Sequence, residues 1–351
     1  MSRADRLVEL LERRELDSLL VTDLVNVRYL TGFTGTNGAC VVTRSERLFL
    51  TDPRYTEQSR QQVSGFELLQ AGQALLGDLA GRLSGRAGFD DAHVSVKAHR
   101  TLEEKVADGV ELVPAGGLVE QLRAVKDPDE LGRLRAATEI ADLAYAELRS
   151  AGLVGRSERE VARSLVRFLE DRGADEVSFP PIVAAAANGA LPHAVPRDAQ
   201  IERGTLVVVD LGARLDGYCS DCTRTFATGP LSDAQNEAYD AVLAAQRLAL
   251  EETRAGISCK EIDADAREVL EARLGTAFEH GLGHGVGLEV HEGPRLARTA
   301  EGSLEPGNVV TVEPAVYVPG EFGIRIEDLV VVTDADCEIV TGFPKELVTV
   351  D

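Results

Sequence analysis

The chain is short of positive charge, of cysteine and of long apolar runs, and each shortage removes a class of function. Its 351 residues carry 37 lysines and arginines against 59 aspartates and glutamates, a net charge of −22. Nucleic-acid binders neutralise phosphates with a face rich in Lys and Arg, so no nucleic-acid partner is expected. No stretch approaches the roughly 20 apolar residues that a bilayer span needs, and no membrane partner is expected either. The N-terminus, MSRADRLVELLERRELDSLL, reads as an amphipathic helix charged throughout. It lacks the apolar core of a signal peptide, so the expected location is cytoplasmic. Five cysteines, an odd number, fit a reducing compartment and no disulfide framework. Cys219 and Cys222 form a lone CxxC in the extended segment GYCSDCTRTF and read as packed thiols. The Gly-rich TGFTGTNG (31–38) has no Lys-Ser/Thr ending, so it does not read as a phosphate loop.

A hydrophobic content of 44% with 27% charged residues describes a globular protein, and the length exceeds one ordinary core. Residues 1–122 alternate helices with short strands: a helix over 3–13, a strand from Ser18 to Thr22, the 31–38 turn, and paired β-rich runs ACVVT and RLFLT. A Leu-rich helical pattern at 73–83 and the run ELVP (111–114) complete a smaller α/β domain with a mixed sheet. The break falls at AVKDPDE (124–130), where Pro128 and its flanking aspartates start a helix. Residues 123–351 read as a second, α+β domain. In it a helix pair ends at Gly173, a strand TLVVVD follows, then helices over 232–254 and 259–274, and the remainder is strand-rich.

Chemistry concentrates in HGLGHGVGLEVHE (280–292), which holds His280, His284 and His291. Glycines at 281, 283, 285 and 287 each cost a helix up to about 1 kcal/mol, so the helical zinc-protease pairing of histidines is excluded. An extended, glycine-lined segment remains, in which something approaches the backbone closely. Carboxylates to join a histidine come from two hairpins. In VVVDLGARLDGYCSDCTRTF, a turn centred on Leu215 and Asp216 would set Asp210 opposite Asp221. In VVTVEPAVYVPGEFGIRIEDLVVV, reflection about Gly320 pairs Glu313 with Glu327. Opposed acids at the ends of apolar strands repel one another and lose hydration, and a cation relieves both penalties.

Four carboxylates and one imidazole suit borderline-hard divalent ions and lack the thiolates of a structural zinc site. Their charge exceeds what one ion neutralises, so two divalent ions (Mn²⁺, Co²⁺ or Zn²⁺) about 3.5–4 Å apart are expected. Such a pair activates water at neutral pH and polarises a carbonyl, which makes hydrolysis the reaction class. His193, in the Gly/Pro-rich NGALPHAVP, joins His280 and His291 as candidates to stabilise an oxyanion or relay a proton. Arg325 shares a strand face with Glu327, free to pair with a ligand carboxylate or with an anionic substrate end.

The segments VVVDLGARLDGYCSDCTRTF, HGLGHGVGLEVHEGP, TVEPAVY and GIRIEDLVVV resemble those of the pita-bread metallopeptidases, the family of methionine aminopeptidase, aminopeptidase P and prolidase. The likeness covers about residues 123–351, and NVRYLTGFTGTNGACVVT is similar to the creatinase-type domain that precedes the catalytic one in the Xaa-Pro branch. It implies metal ligands at Asp210, Asp221, His284, Glu313 and Glu327, with Asp221 and Glu327 bridging. It also implies substrate and proton handling by His193, His280 and His291, an assisting Arg325, a homodimer and a proline-containing di- or oligopeptide substrate. The short N-terminal domain resembles that of small bacterial prolidases, which implies dipeptides, whose free carboxylate Arg295 or Arg325 would hold. Aminopeptidase P activity on longer peptides is the alternative, and a catalytically inactive binding protein of the same fold is a further one. The 31–38 loop is expected to cross the partner subunit's site and limit substrate length. Unchanged relative cleavage of Xaa-Pro and Xaa-Pro-Xaa after its deletion would contradict that role.

Overall fold

The computed structural model describes residues 1–71 and 75–351, which form two compact units, Met1–Arg123 and Ala124–Asp351. In the first, Ser2 and Asp5 form a capping box that starts α1 (Arg3–Arg13), and Leu7 and Leu11 on its inner face are buried. Six strands make one sheet: β1 (Ser18–Val21), β2 (Gly38–Thr43), β3 (Arg47–Thr51), β4 (Glu67–Gln70), β5 (Arg86–Phe89) and β6 (Glu111–Pro114). Its order, β4-β3-β2-β1-β5-β6, mixes antiparallel pairing of β1 with β2 and β2 with β3 with parallel pairing elsewhere. The helices are α2 (Leu24–Thr31), α3 (Thr56–Gln62), α4 (Leu75–Ala80), α5 (Val96–Lys105) and α6 (Leu118–Ala124). The sequence reading did not anticipate α2. It is capped by Asp23 and stopped by Gly32 at φ +83°, the first glycine of the 31–38 segment. Of the helical pattern read at 73–83, α4 forms the described part, and residues 73 and 74 lie outside the described residues.

The second unit repeats one plan. Helices α7 (Pro128–Ala151), opened by the Asp127–Glu130 capping box, and α8 (Glu158–Asp171), opened by Ser157 and Glu160, form the first pair. They pack on the sheet β12-β9-β8, made by β8 (Ile182–Ala185), β9 (Leu206–Leu211) and β12 (Cys222–Ala227). Tyr145, Leu165, Val209 and Phe226 share that core. Short strands β7 (Glu176–Val177), β10 (Ala213–Leu215) and β11 (Tyr218–Cys219) extend the hairpin beyond it. Helices α9 (Asp233–Glu252) and α10 (Cys259–Leu274) form the second pair, with Val242, Ile262, Leu282, Val310 and Val330 in their core. Their sheet, β14-β13-β15-β18-β19, contains β13 (Gly283–Gly285), β14 (Glu292–Leu296), β15 (Val309–Val312), β18 (Asp328–Val332) and β19 (Cys337–Ile339), with the hairpin β16 (Ala315–Val318) and β17 (Phe322–Arg325) beside it. Strands β9, β12, β15 and β18 are buried along their whole length; β9, β15 and β18 are accordingly rich in valine and leucine, whereas β12 buries Thr223, Arg224 and Thr225.

Candidate active site

The first hairpin corrects the register expected from sequence. Leu215 pairs with Tyr218, Leu211 with Cys222 and Asp210 with Thr223, so the turn is centred on Asp216 and Gly217. Both take positive φ, +48° and +81°. A two-residue turn with that handedness matches strand twist, and Asp-Gly is its favoured sequence. Asp221 therefore lies two positions from the partner of Asp210, in the gap between β11 and β12, and meets Asp210 diagonally rather than head-on. The second hairpin keeps the expected register. Val312 pairs with Asp328 and Ala315 with Arg325, which brackets Glu313 against Glu327 at the break between two ladders.

His284 sits at the centre of β13, across from Arg295 on β14. The glycines beside it do not clear space for a substrate. A Cβ on Gly283 would lie 1.9 Å from the Thr311 carbonyl oxygen, and one on Gly285 2.1 Å from that of Gly293. The missing side chains let β13 press against β15 and β14, which carries His284 down to the acids. Its Nε2 lies 3.6 Å from Asp221 Oδ2 and 3.5 Å from Glu313 Oε1. Its Nδ1 lies 3.1 Å from the Gly285 carbonyl oxygen, a bond that puts the proton on Nδ1 and leaves the Nε2 lone pair facing the carboxylates.

Electrostatically the site is a poised cation receptor. Burial, then the neighbouring Glu327 and Asp210, drive the Asp221 carboxyl far above its ordinary range. Burial, then Glu313 and Asp210, do the same to Glu327. Glu313 is pushed up to about 8 by burial, and Asp210 is raised by burial against the opposing pull of Arg325. Burial and the adjacent His291 bring His284 down to about 4, so its imidazole is neutral, the form that ligates metal. Asp221, His284 and Glu327 each offer an atom within 4.8 Å of the others, and Asp210 Oδ1 is buried with no hydrogen-bond partner. Oxygen-rich donors of this kind, one of them orphaned, fit a divalent metal. Among the described residues Asp90, His93 and Glu120 also converge. There the Asn26 amide already donates to Glu120 at 2.6 Å and Arg123 donates to Asn26 at 2.9 Å.

Arg325 is committed to protein partners. Its Nη2 donates to Asp210 Oδ2 at 2.5 Å, Nη1 to the Tyr317 hydroxyl at 2.9 Å and to the Pro192 carbonyl at 3.1 Å, and Nε to Thr223 Oγ1 at 2.9 Å. Of the two partners open to it from sequence, the acid in the cluster is the one it takes in this structure. Two side chains that sequence reasoning missed complete the frame. Thr223 donates to Glu327 Oε2 at 2.7 Å, and the Tyr317 hydroxyl lies 3.2 Å from His280 Nε2. Thr223 was findable, because it stands opposite Asp210 once the Asp-Gly turn is recognised. Tyr317, four residues past Glu313, carries no such signal.

The remaining candidates are His280, His291, His193 and Arg295. His280 is held beside Phe278 and Tyr317, and burial brings it down to about 4. His291 is exposed, with its ring 4.3 Å from that of His284, and burial of its inner edge lowers its pKa. His193 and Arg295 are exposed, and the charge on Arg295 acts on both His284 and His291. Cys219 and Cys222 are wholly buried free thiols, raised by burial.

Two helix-backed sheets converging on buried acids and one neutral histidine define a metallopeptidase of the pita-bread fold. Residues 132–334 match metallopeptidase family M24, and residues 3–125 match the creatinase/prolidase N-terminal domain. The chain belongs to family M24 and is a peptide-bond hydrolase of the kind that works with a divalent metal. Among curated proteins it is 40% identical to the uncharacterized peptidase YqhT of Bacillus subtilis, over 99% of each chain. Among solved structures it superposes on an Xaa-Pro dipeptidase from Bacillus anthracis with a TM-score of 0.95 and 38% identity, over 99% of each chain. An X-Pro aminopeptidase from Thermotoga maritima follows at a TM-score of 0.90 and 34% identity, covering 99% of this chain and all of the other.

Proposed function

We propose that this peptidase hydrolyses the bond before proline in Xaa-Pro dipeptides, with two divalent ions, Mn²⁺, Co²⁺ or Zn²⁺, held by Asp210, Asp221, His284, Glu313 and Glu327. Asp221, raised far by burial, Glu327 and Asp210, and Glu327, raised far by burial, Glu313 and Asp210, are the acids that would be shared between the two ions. When bound, the ions supply an activated water and polarise the scissile carbonyl. The chain's own groups do the rest. Arg325 and Thr223 fix the free oxygens of Asp210 and Glu327. His193 and His291, both exposed, donate to the developing oxyanion and pass a proton to the proline nitrogen. His280, neutral and tied to Tyr317, supports that transfer from behind.

The observation that carries the dipeptide reading is Arg295. It stands across from His284 and is exposed, whereas Arg325 is spent on Asp210. A dipeptide's carboxylate lies one residue beyond the scissile bond, and a guanidinium with no ion-pair partner among the described residues, one strand from a metal ligand, is suited to receive it. Both a dipeptidase and an aminopeptidase superpose over nearly the whole chain, so the fold by itself divides neither from the other. A homodimer and a cytoplasmic location belong to the same proposal, and light scattering that finds an active monomer would contradict the former.

The test is a peptide panel, Ala-Pro, Ala-Pro-Ala and Met-Ala-Ser, with each metal added in turn. Cleavage of Ala-Pro alone is expected, with an Arg295→Ala variant raising KM for it more than it lowers kcat. Preferred cleavage of Ala-Pro-Ala would make the protein an aminopeptidase of the aminopeptidase P kind, and cleavage of Met-Ala-Ser would remove the requirement for proline.

A further inference from the structure

Lys126 forms an ion pair with Glu292, Nζ to Oε1 at 2.7 Å, and the two side chains are 1% and 4% exposed. Burying two charges costs several kcal/mol per ion and is regained only with good geometry, so such a pair is weak evidence for stability. A role in specifying position accounts for it better. The lysine end is anchored: Lys126 N–H donates to the Gly307 carbonyl at 2.9 Å, Val125 bridges to Asn308, and Asn308 Nδ2 donates to the Ala124 carbonyl at 2.9 Å. At the other end the Glu292 carboxylate lies over Gly287, so closely that a Cβ there would be 2.3 Å from Oε1. The turn that Glu292 closes is tight. Gly287 N–H donates to the Glu289 carbonyl at 2.9 Å, and the Gly287 carbonyl accepts from Cys219 N–H at 2.8 Å.

His291 immediately precedes Glu292 at the start of β14. His291 is the last residue of the bend that leads into β14, and with Glu292 drawn inward to Lys126 its ring lies 4.3 Å from that of His284. We propose that Lys126 is a positioning residue for the peptidase reaction: its ion pair with Glu292 fixes the 287–292 turn and thereby aims the His291 imidazole at the acid cluster. The inference rests on the reading above that His291 handles the substrate. Lys126 lies 166 residues from Glu292 in sequence, outside every segment that resembles the catalytic family motifs.

The experiment measures kcat and KM for Ala-Pro in the Mn²⁺-loaded enzyme, together with metal content and melting temperature. Lys126→Met alone leaves a buried carboxylate and risks unfolding, so the charge-neutral pair Lys126→Met/Glu292→Met is made beside it. The pair is expected to keep the metal and the melting temperature and to lower kcat about 10-fold, the scale of losing an outer support of a metal site. Combined with His291→Ala, it should lower kcat by less than about twofold further, because groups acting through one another do not add. A wild-type kcat in the paired variant, or the same fold-loss with and without His291, would overturn the inference and leave the proposed function standing. If His291→Ala alone left kcat intact, the substrate role of His291 would fall, and Lys126 with it.

Discussion

Glu327 and Asp328 are neighbours in the chain, 2% and 1% exposed, and the protein treats them in opposite ways. Asp328 accepts from Arg224 Nη2 at 2.7 Å, Lys345 Nζ at 2.6 Å and Gln246 Nε2 at 2.8 Å. Burial pulls its pKa up, but Arg224 and Lys345 outweigh that and hold the carboxyl below its ordinary range. Glu327, turned to the other side by the pleat, receives a hydroxyl from Thr223 and faces Glu313 and Asp210, which with burial push it far up. Among the described residues, Arg325 and the neutral His284 supply the basic groups paired with this side, and Arg325 is spent mainly on Asp210. One strand therefore builds a salt-bridged core on one face and an undercompensated cluster on the other. A metal site of this type is recognisable as the place where a protein buries acids and withholds the cations it supplies a residue away.

The contrast breaks most sharply under substitution. Glu327→Gln, or Asp221→Asn, is expected to abolish both metal uptake and turnover while the protein still folds, as measured by metal analysis and peptide hydrolysis. Asp328→Asn should do the reverse. It strands Arg224 in the core, costs about 3–5 kcal/mol in denaturant unfolding, and leaves metal binding intact in the folded fraction. His193→Ala and His291→Ala should keep full metal and lose about 10²–10⁴-fold in kcat. Loss of metal from either would move that histidine into the ligand set.

A pH effect sharpens the same comparison. Glu313 titrates at about 8 in the folded chain against an ordinary value of 4.5, so without metal its folded form favours the proton. That contribution is complete below about 4.5 and is lost as pH rises through 8, and Asp221 and Glu327 shift in the same direction. His280 and His284, at about 4 against 6.5, act oppositely: their contribution is complete above 6.5 and is lost as pH falls toward 4. Between pH 6.5 and 8 the acids alone operate. The melting temperature of metal-free protein should fall across that window, and saturating Mn²⁺ should remove the fall.

Legibility in sequence followed the physics of each element. Helices α7, α8, α9 and α10 were readable because Asp127, Ser157, Ser232 and Ser258 cap long amphipathic runs. Helix α2 was missed because eight residues with a weak apolar face resemble a strand leading into a turn. The register around Gly320 was correct, since that turn is symmetric about one residue. The register of the Asp210 hairpin was off by two because Asp216-Gly217, the turn signal, was placed off centre. Asp210, Glu313 and Glu327 could be picked out because they end or interrupt apolar runs, and His284 because its glycine-lined segment carries three histidines. Tyr317 and Lys126 could not, because a tyrosine in a half-apolar strand and a lysine in a polar link are ordinary until the fold buries their tips.

The claim that the Glu327 face is destabilised without its cation is tested most directly by the melting temperature of metal-free Glu327→Gln at pH 8, set against metal-free wild type. Folding wild type at that pH must return protons to buried acids that are ionised in the unfolded chain, and glutamine removes one such requirement. The variant should therefore melt higher than wild type when both lack metal, and lower once Mn²⁺ is added to both. A metal-free variant that melts lower would mean that Glu327, like Asp328, is a stabilising part of the core, and would contradict the account.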